Sequence, residues 1–195
     1  MTGRPAERPG PDAGKEAWRE WARAEWEQID AAQLSAGVVD HLARFVPLRT
    51  APTLVIYYPM SHELDVTRLL TERHRPATLA ATRTPAAGPL TAHLLGGWPL
   101  ERHRYGFLQP QADTPQLDAG AVDAVLVPGL CFSRDGTRLG HGAGYFDEYL
   151  ASLAPHALKL GVTPTRLVLD RLPRLPHDVA MTHLATESGV WAVDE

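Results

Sequence analysis

Residues Ala121–Gly129 read AVDAVLVPG, and from Val127 to Leu150 the chain continues as VPGLCFSRDGTRLGHGAGYFDEYL. Val122–Val127 is valine-rich and apolar but for Asp123, and it stops at Pro128-Gly129, the pattern of a short buried strand. A glycine-rich loop follows, and beyond it Tyr145–Leu153 predicts a short helix. Strand, loop and helix in that order form the unit from which layered α/β domains are built.

The chain around this unit repeats the alternation. Lys15–Ile29 predicts a helix in which Trp18, Trp21, Ala22 and Ile29 share an apolar face, while Lys15, Arg19 and Arg23 recur every four residues on another. Ser35 is the expected N-cap of a second helix carrying Val38, Val39, Leu42 and Phe45. Thr53–Tyr58 (TLVIYY) predicts a strand, and Asp65 the cap of a helix through Arg75. Ala77–Thr82, Pro89–Leu95, Leu158–Val162 and Val190–Val193 are further strand candidates. Helices alternating with apolar strands imply an α/β domain with a largely parallel sheet. Met1–Gly14, with Pro5, Pro9, Pro11, Gly3 and Gly10 and almost nothing apolar, predicts a flexible leader ahead of a single domain over residues 15–195.

Composition narrows the function classes. The 195 residues are 44% hydrophobic and 22% charged, with 19 basic and 23 acidic side chains, an ordinary globular balance of one-domain size. A net charge of −4 supplies no global basic field for nucleic acid. The single cysteine excludes an intramolecular disulfide and a cysteine-rich zinc module. No apolar run reaches the ~18 residues of a membrane span, and no apolar secretion signal opens the chain. The expectation is a cytoplasmic monomer without a nucleic-acid or membrane partner.

Gly140, Gly142 and Gly144 alternate directly before the predicted helix Tyr145–Leu153. Alternating glycines let successive N–H groups turn inward as an anion nest, and the helix N-terminus adds about half a positive charge. Arg138 adds a full charge just ahead, and Asp147 would stand beside a bound phosphate, as a magnesium ligand does. The same residues also suit a plain strand-to-helix turn with Asp147 favouring the helix start. The motif is neither a P-loop nor a dinucleotide fingerprint.

RLGHGAGYFD, Arg138–Asp147, resembles the RLGxGxGYYD signature of the 5-formyltetrahydrofolate cyclo-ligase (5,10-methenyltetrahydrofolate synthetase) family, and VPGLCFSRDG resembles that family's PGLxFxxxG. Lys15-Glu-Ala-Trp-Arg19 is similar to its KxxxR, Tyr58–Thr67 (YPMSHELDVT) to its segment around a Glu, Gly106–Pro110 (GFLQP) to its Gly…(Glu/Gln)-Pro loop, and Pro176–Glu187 to its HD…D…TE stretch. The resemblance spans Lys15 to Glu187. It implies a three-layer αβα fold with a Rossmann-like sheet, of the type in sugar-phosphate isomerases and CoA transferases. It further implies ATP- and magnesium-dependent closure of 5-formyltetrahydrofolate to 5,10-methenyltetrahydrofolate, through a phosphorylated formyl group.

By residue, the resemblance assigns ATP to Lys15, Arg19 and the run Arg138, Leu139, Gly140, His141, Gly142, Ala143, Gly144, Tyr145 and Phe146, with magnesium at Asp147 and Asp178. Arg138, Tyr145 and Asp147 are implied as catalytic. The folate is assigned to Tyr58, Glu63, Tyr105, Phe107 and Gln109, with His141, Gly142, Ala143, Gly144 and Tyr145 approaching the formyl group. A carboxylate such as Glu63 accepts paired hydrogen bonds from pterin N–H groups. Read without the resemblance, Lys15, Arg19 and Arg23 equally suit a solvated basic face, and the aromatic residues suit a core.

Three positions depart from the family pattern. Ala143 stands where some members carry Lys, Phe146 replaces the second Tyr, and Gln109 replaces a frequent Glu. His141 is then a candidate substitute cation, or an ordinary exposed histidine. Cys131 is expected to be a small buried filler rather than a nucleophile, and His177 to serve local structure. A non-catalytic folate- or nucleotide-binding relative of the same fold is the alternative function.

Overall fold

The structure, a computed structural model, describes residues 7–10, 12–71 and 76–194. Its centre is a seven-stranded sheet in the order β12-β11-β9-β6-β1-β2-β3. The strands are β1 (Thr53–Ile56), β2 (Thr78–Arg83), β3 (Thr91–Leu94), β6 (Ala124–Pro128), β9 (Leu158–Val162), β11 (His183–Thr186) and β12 (Gly189–Ala192). The five inner strands run parallel, and β3 and β12 close the two edges antiparallel. The AVLVP run of β6 is buried along its whole length in the middle of that sheet, as a strand covered on both faces must be.

Side chains alternate between two cores, because successive strand residues point to opposite faces. Leu54, Ile56, Ala124, Leu126, Leu160 and Val162 pack beneath α1 (Lys15–Trp26), α2 (Ala31–Arg44) and α3 (Val46–Thr50), against Trp18, Trp21, Val38, Leu42 and Leu48. Val55, Val125 and Val127 face the other way, onto Tyr149 and Leu150 of α4 (Tyr145–Ser152) and onto Leu153. The result is the three-layer αβα arrangement expected from the sequence. The Trp26 indole N–H donates to the Leu130 carbonyl at 2.8 Å, fastening the end of α1 to the chain just past β6.

Several local expectations are corrected. The first helix stops at Trp26 rather than Ile29, because the N–H groups of Gln28 and Ile29 tighten onto Glu25 and Trp26 and Asp30 starts the next helix. Asp30, not Ser35, is the N-cap of α2, accepting from the Gln33 N–H at 3.1 Å. Ser35 sits inside α2, donates to Ala31 and accepts the Asp65 N–H at 2.9 Å, so it pins the chain after β1 to the helix. Asp65 does accept from the N–H and hydroxyl of Thr67. What it starts is one 3-10 turn over Thr67–Thr71, while the end of the expected helix, residues 72–75, lies outside the described residues. Of the leader, residues 7–10 and 12–14 are described; Arg8 lies 5.8 Å over the Trp18 ring and Ala13 packs on the core.

The sequence pattern missed the shortest strands. β4 (Leu100–Arg102) and β5 (Leu108–Pro110) form a hairpin, and β7 (Cys131–Ser133), β8 (Arg138–Leu139) and β10 (Val168–Leu169) form a small sheet. Strands of two or three residues complete no hydrophobic period, so nothing in the pattern marks them. Among the described residues, no helix is long and apolar enough to cross a membrane.

The sheet order places a topological switch between β1 and β6. The chain leaves β1 toward β2 on one side and leaves β6 toward β9 and β11 on the other. In open α/β sheets such a reversal opens a crevice at the carboxyl ends of the strands, where ligands bind.

Candidate active site

A cleft of about 680 Å³ opens at that switch point, within the usual size of small-molecule sites. Tyr57 and Tyr58 enter it from the end of β1, Pro128 from the end of β6, and Thr82 and Thr84 from the end of β2. Residues 140–144, between β8 and α4, form one wall, continued by Tyr145, Phe146 and Asp147 in the first turn of α4. Helix α1 contributes Lys15 and Arg19, and the hairpin contributes Tyr105 and Phe107.

The glycine wall is shaped for an anion. Gly142 and Gly144 have φ values of 111° and 75°, the left-handed region that a side chain disfavours. The Arg19 guanidinium lies so close to Gly142 that a Cβ there would meet its Cζ at 3.5 Å, and Arg19 Nε donates to the Gly140 carbonyl at 3.1 Å. Lys15 and Arg19 have side chains only 18% exposed, so the solvated-face reading of these two residues is corrected. Arg23, one turn on, is more exposed and pairs with Glu16 at 3.5 Å.

Arg138 is buried beneath the loop. Its Nη2 donates to Asp147 Oδ2 at 3.0 Å, its Nη1 reaches the Pro128 carbonyl at 3.5 Å, and its Nε is buried without a partner. The guanidinium also lies 5.4 Å over the Phe146 ring, so the position that lacks the family's second Tyr holds Arg138 by a cation–π contact. Gly140 leaves room for it, since a Cβ at that position would stand 2.4 Å from Arg138 Nη1. A buried cation with an unused donor, a positive-φ glycine loop and two further cations fit the polyphosphate of a nucleotide.

The two aspartates do not form a metal cage. Asp147 is engaged by Arg138, while Asp178 Oδ2 accepts from Lys15 at 2.5 Å and from the Leu175 N–H at 2.7 Å. Burial opposes the charge on Asp178, yet the Lys15 and Leu175 donors outweigh it and hold its carboxyl below the ordinary range. Among the described residues, no group of three or more His, Cys, Asp and Glu assembles as a metal site. This donor set suits a cation carried on phosphate oxygens and water with one carboxylate beside it, the usual habit of magnesium.

Glu63 and His141 meet on the opposite side of the loop. Glu63 is buried and accepts from the Met60 N–H at 2.9 Å; burial pushes its carboxyl up to about 7, with the Met60 N–H and Arg138 pulling the other way. His141 Nδ1 lies 3.9 Å from Glu63 Oε1, and its Nε2 is buried without a partner. The expectation of His141 as a substitute cation is corrected. Burial, joined by the nearby His62, Arg23, Arg138 and Arg19, pushes the imidazole down to about 4, so it is neutral at physiological pH.

Most of the sequence-derived residues therefore share this one cleft: Lys15, Arg19, Tyr58, Glu63, Tyr105, Phe107, Arg138–Asp147 and Asp178. Gln109 does not join them. It is buried behind the hairpin, where its Oε1 accepts from the Thr84 N–H at 3.0 Å and its Nε2 donates to Glu101 at 3.0 Å, so it braces the hairpin against β2. Met60, His62 and Leu175 also line the cleft and were missed; the signal was their place directly after β1 and beside Asp178. Glu187 sits elsewhere, accepting from the Thr165 N–H at 3.0 Å. His177 lines the rim, its Nε2 3.9 Å from Asp178 Oδ1.

Cys131 is buried at the start of β7, and burial pushes its thiol up to about 12, which leaves almost no thiolate to act as a nucleophile. Cys131→Ala is expected to keep turnover within about threefold of the parent and to cost about 1 kcal/mol in stability. Turnover corrected for folded fraction checks this, and a loss of several orders of magnitude in folded protein would bring the thiol into the chemistry.

Comparison with known proteins places the chain among relatives of one family and one fold. The family model described as 5-formyltetrahydrofolate cyclo-ligase family matches residues 15–187. A 5-formyltetrahydrofolate cyclo-ligase of Mycolicibacterium smegmatis is 34% identical over 149 residues, covering 72% of this chain and 77% of the relative. Among solved structures, the 5,10-methenyltetrahydrofolate synthetase of Aquifex aeolicus superposes with a TM-score of 0.80 at 24% identity, covering 93% of each chain. The synthetase of Mycoplasma pneumoniae superposes with a TM-score of 0.72 at 20% identity, covering 90% of this chain and 99% of that one. At such identities these two likenesses concern the fold.

Proposed function

This chain belongs to the 5-formyltetrahydrofolate cyclo-ligase family, and we propose that it closes 5-formyltetrahydrofolate to 5,10-methenyltetrahydrofolate, converting ATP to ADP and phosphate. The observation that carries the reading is Arg138. It is buried, oriented by Asp147, has an unused donor, lies against Gly140 and acts electrostatically on Glu63.

A formyl oxygen is a poor leaving group until it is phosphorylated. Its lone pair attacks the γ-phosphorus, the bond to the ADP oxygen breaks, and N5 takes up the positive charge as an iminium phosphate. N10 then adds its lone pair to the formyl carbon and loses its proton. Phosphate departs with the C–O bonding pair, leaving the methenyl bridge. Phosphoryl transfer of this kind requires positioning and charge stabilisation more than a protein nucleophile. Lys15, Arg19, the loop N–H groups and Arg138 supply those. Bound magnesium would neutralise phosphate charge, with Asp147 and Asp178 as the carboxylates of the cleft that would help hold it. Glu63 would accept from the pterin N–H groups, with Tyr58, Tyr105 and Phe107 walling the rings.

The test is to incubate purified protein with 5-formyltetrahydrofolate, ATP and magnesium and follow the near-ultraviolet absorbance of the methenyl product. ATP-dependent product is expected; folate and ATP binding without product would assign the chain to non-catalytic binding. Asp147→Asn is expected to raise the magnesium concentration for half-maximal turnover by about tenfold or more. A magnesium titration beside a thermal melt separates this from misfolding, and an unchanged midpoint would leave Asp147 as a partner of Arg138 alone.

A further inference from the structure

Asp147 carries two duties that one carboxylate meets poorly at the same time. Its Oδ2 accepts from Arg138 Nη2 at 3.0 Å, while the proposed chemistry asks it to help hold magnesium. The Asp147 side chain is 22% exposed and lines the cleft, whereas that of Arg138 is only 7% exposed. A carboxylate that turns toward a metal ion gives up much of its grip on a guanidinium. Whether a buried arginine then keeps its aim depends on what else holds it.

Neutral groups also hold Arg138. Its stem leaves β8 past Gly129, where a Cβ would stand 3.2 Å from the Arg138 Cγ, so the backbone of Gly129 confines it. The Pro128 carbonyl reaches Nη1 only at 3.5 Å. The Phe146 ring meets the guanidinium with Cζ 5.4 Å over its centroid. That ring packs against the core between the sheet and α4, so the fold sets its position, not the contents of the cleft. The attraction of a cation to a ring face acts on the whole charge and occupies no N–H donor. The ion pair with Asp147, by contrast, occupies Nη2.

We propose that Phe146 is the positioning residue that keeps Arg138 aimed at the transferring phosphoryl group once Asp147 turns to the metal. This rests on the cyclo-ligase reading above. Phe146 and Asp147 are consecutive in the first turn of α4, about 100° apart around its axis. They therefore hold one guanidinium from two directions. Before the nucleotide binds, the ion pair dominates and the ring adds little. With Asp147 engaged elsewhere, the ring fixes the head of the arginine, and Nη2 becomes a donor for a phosphate oxygen. The planar fork loses little entropy in that exchange, because its stem and its charge stay in place. An aliphatic side chain of similar bulk fills the same space but offers no ring face.

Two measurements test this. In the first, Phe146 is replaced in turn by 4-fluoro-, 3,5-difluoro- and 3,4,5-trifluorophenylalanine, which drain the ring face of negative potential and nearly preserve its shape. With 5-formyltetrahydrofolate, ATP and magnesium, kcat is expected to fall stepwise, by about tenfold over the series, while KM for the folate moves less than about twofold. Phe146→Leu is expected to lose at least as much, and Phe146→Tyr to recover most of that loss, with melting temperatures showing an intact fold. The second is the affinity for ATP in EDTA by titration calorimetry, which reads the protein without metal or turnover. Phe146→Leu is expected to change it by no more than about twofold where Asp147 is present, and to weaken it about tenfold in the Asp147→Asn background. A flat kcat across the fluorinated series, or equal effects of Phe146→Leu in both backgrounds, would overturn the role and leave Phe146 a packing residue. Absence of methenyl product from the parent would instead remove the cyclo-ligase reading, and the calorimetric cycle is read independently of it.

Discussion

Arg138→Lys is expected to lower kcat/KM by about 10³-fold while the protein stays folded. Lysine keeps the charge but not the fork, and Arg138 uses its fork in several directions at once. It grips Asp147 at 3.0 Å, reaches the Pro128 carbonyl, and keeps Nε buried without a partner. Losing one pre-positioned donor to a developing anion typically costs a factor of about 10²–10³, and arginines that neutralise a transferring phosphoryl group contribute about 10³–10⁵. Gly140→Ala approaches the same residue from the other side. Its new Cβ would stand 2.4 Å from Nη1, so the guanidinium must move off Asp147 or the loop must shift. A smaller loss, of about 10-fold or more, is expected there, because displacement costs less than removal. Turnover and melting temperature, measured together for both variants, decide the matter. Parental turnover in Arg138→Lys would make the guanidinium a structural brace between β6 and α4.

The glycine wall of the cleft, which we propose holds the phosphates, was legible because its signal is local. Gly140, Gly142, Gly144 and the start of α4 are contiguous, and the backbone conformation they permit is a property of those residues alone. The strands β1, β6 and β9 were legible for the same reason: Ala124–Pro128 is apolar along its own length, and Leu158–Val162 has the bounds expected, whereas the inner strand β11 (His183–Thr186), with a polar residue at each end, was missed. The part of the cleft proposed for the folate was harder. Glu63, Tyr105 and Phe107 come from segments far apart in sequence, brought together only by β1 and the β4–β5 hairpin, whose three-residue strands carry no period. Gln109 was misassigned because a polar residue in a loop motif looks like a ligand contact. Whether it faces a cleft or braces Thr84 and Glu101 depends on the twist of the hairpin, which one sequence does not contain. The charge on His141 was misjudged for a related reason. Loop position suggested exposure, but folding buries the ring and brings His62, Arg23, Arg138 and Arg19 near it, and a buried imidazole beside cations stays neutral.

Glu63→Gln is expected to make the protein more stable and nearly inactive, with both effects set by pH. The Glu63 carboxyl has a pKa of about 7 in the folded cleft, raised by burial from an ordinary 4.5 and restrained by the Met60 N–H and Arg138. Between those two values the folded state holds a proton that the unfolded chain releases. Parent stability therefore falls as pH rises from about 4.5 to about 7, and the full penalty persists above that. The interval corresponds to at most roughly 3 kcal/mol. Glutamine cannot ionise and still accepts the Met60 N–H, so Glu63→Gln is expected to gain up to about that amount at pH 8 and almost nothing at pH 4.5. Folate binding runs in the opposite sense. Only the ionised carboxylate offers acceptors to two pterin N–H groups, so KM for the folate is expected to rise as pH falls through 7 in the parent. His141, whose Nδ1 lies 3.9 Å from Glu63 Oε1, is already neutral throughout this range and leaves that limb to Glu63. Each charged hydrogen bond contributes about 1.5–3 kcal/mol, so Glu63→Gln is expected to raise KM about 100-fold or more and to flatten its pH dependence. Denaturant melts at pH 4.5 and 8, beside KM measured from pH 6 to 8.5, test both halves. Parental KM in the glutamine variant would remove Glu63 from folate binding, and equal destabilisation at both pH values would make it a packing residue.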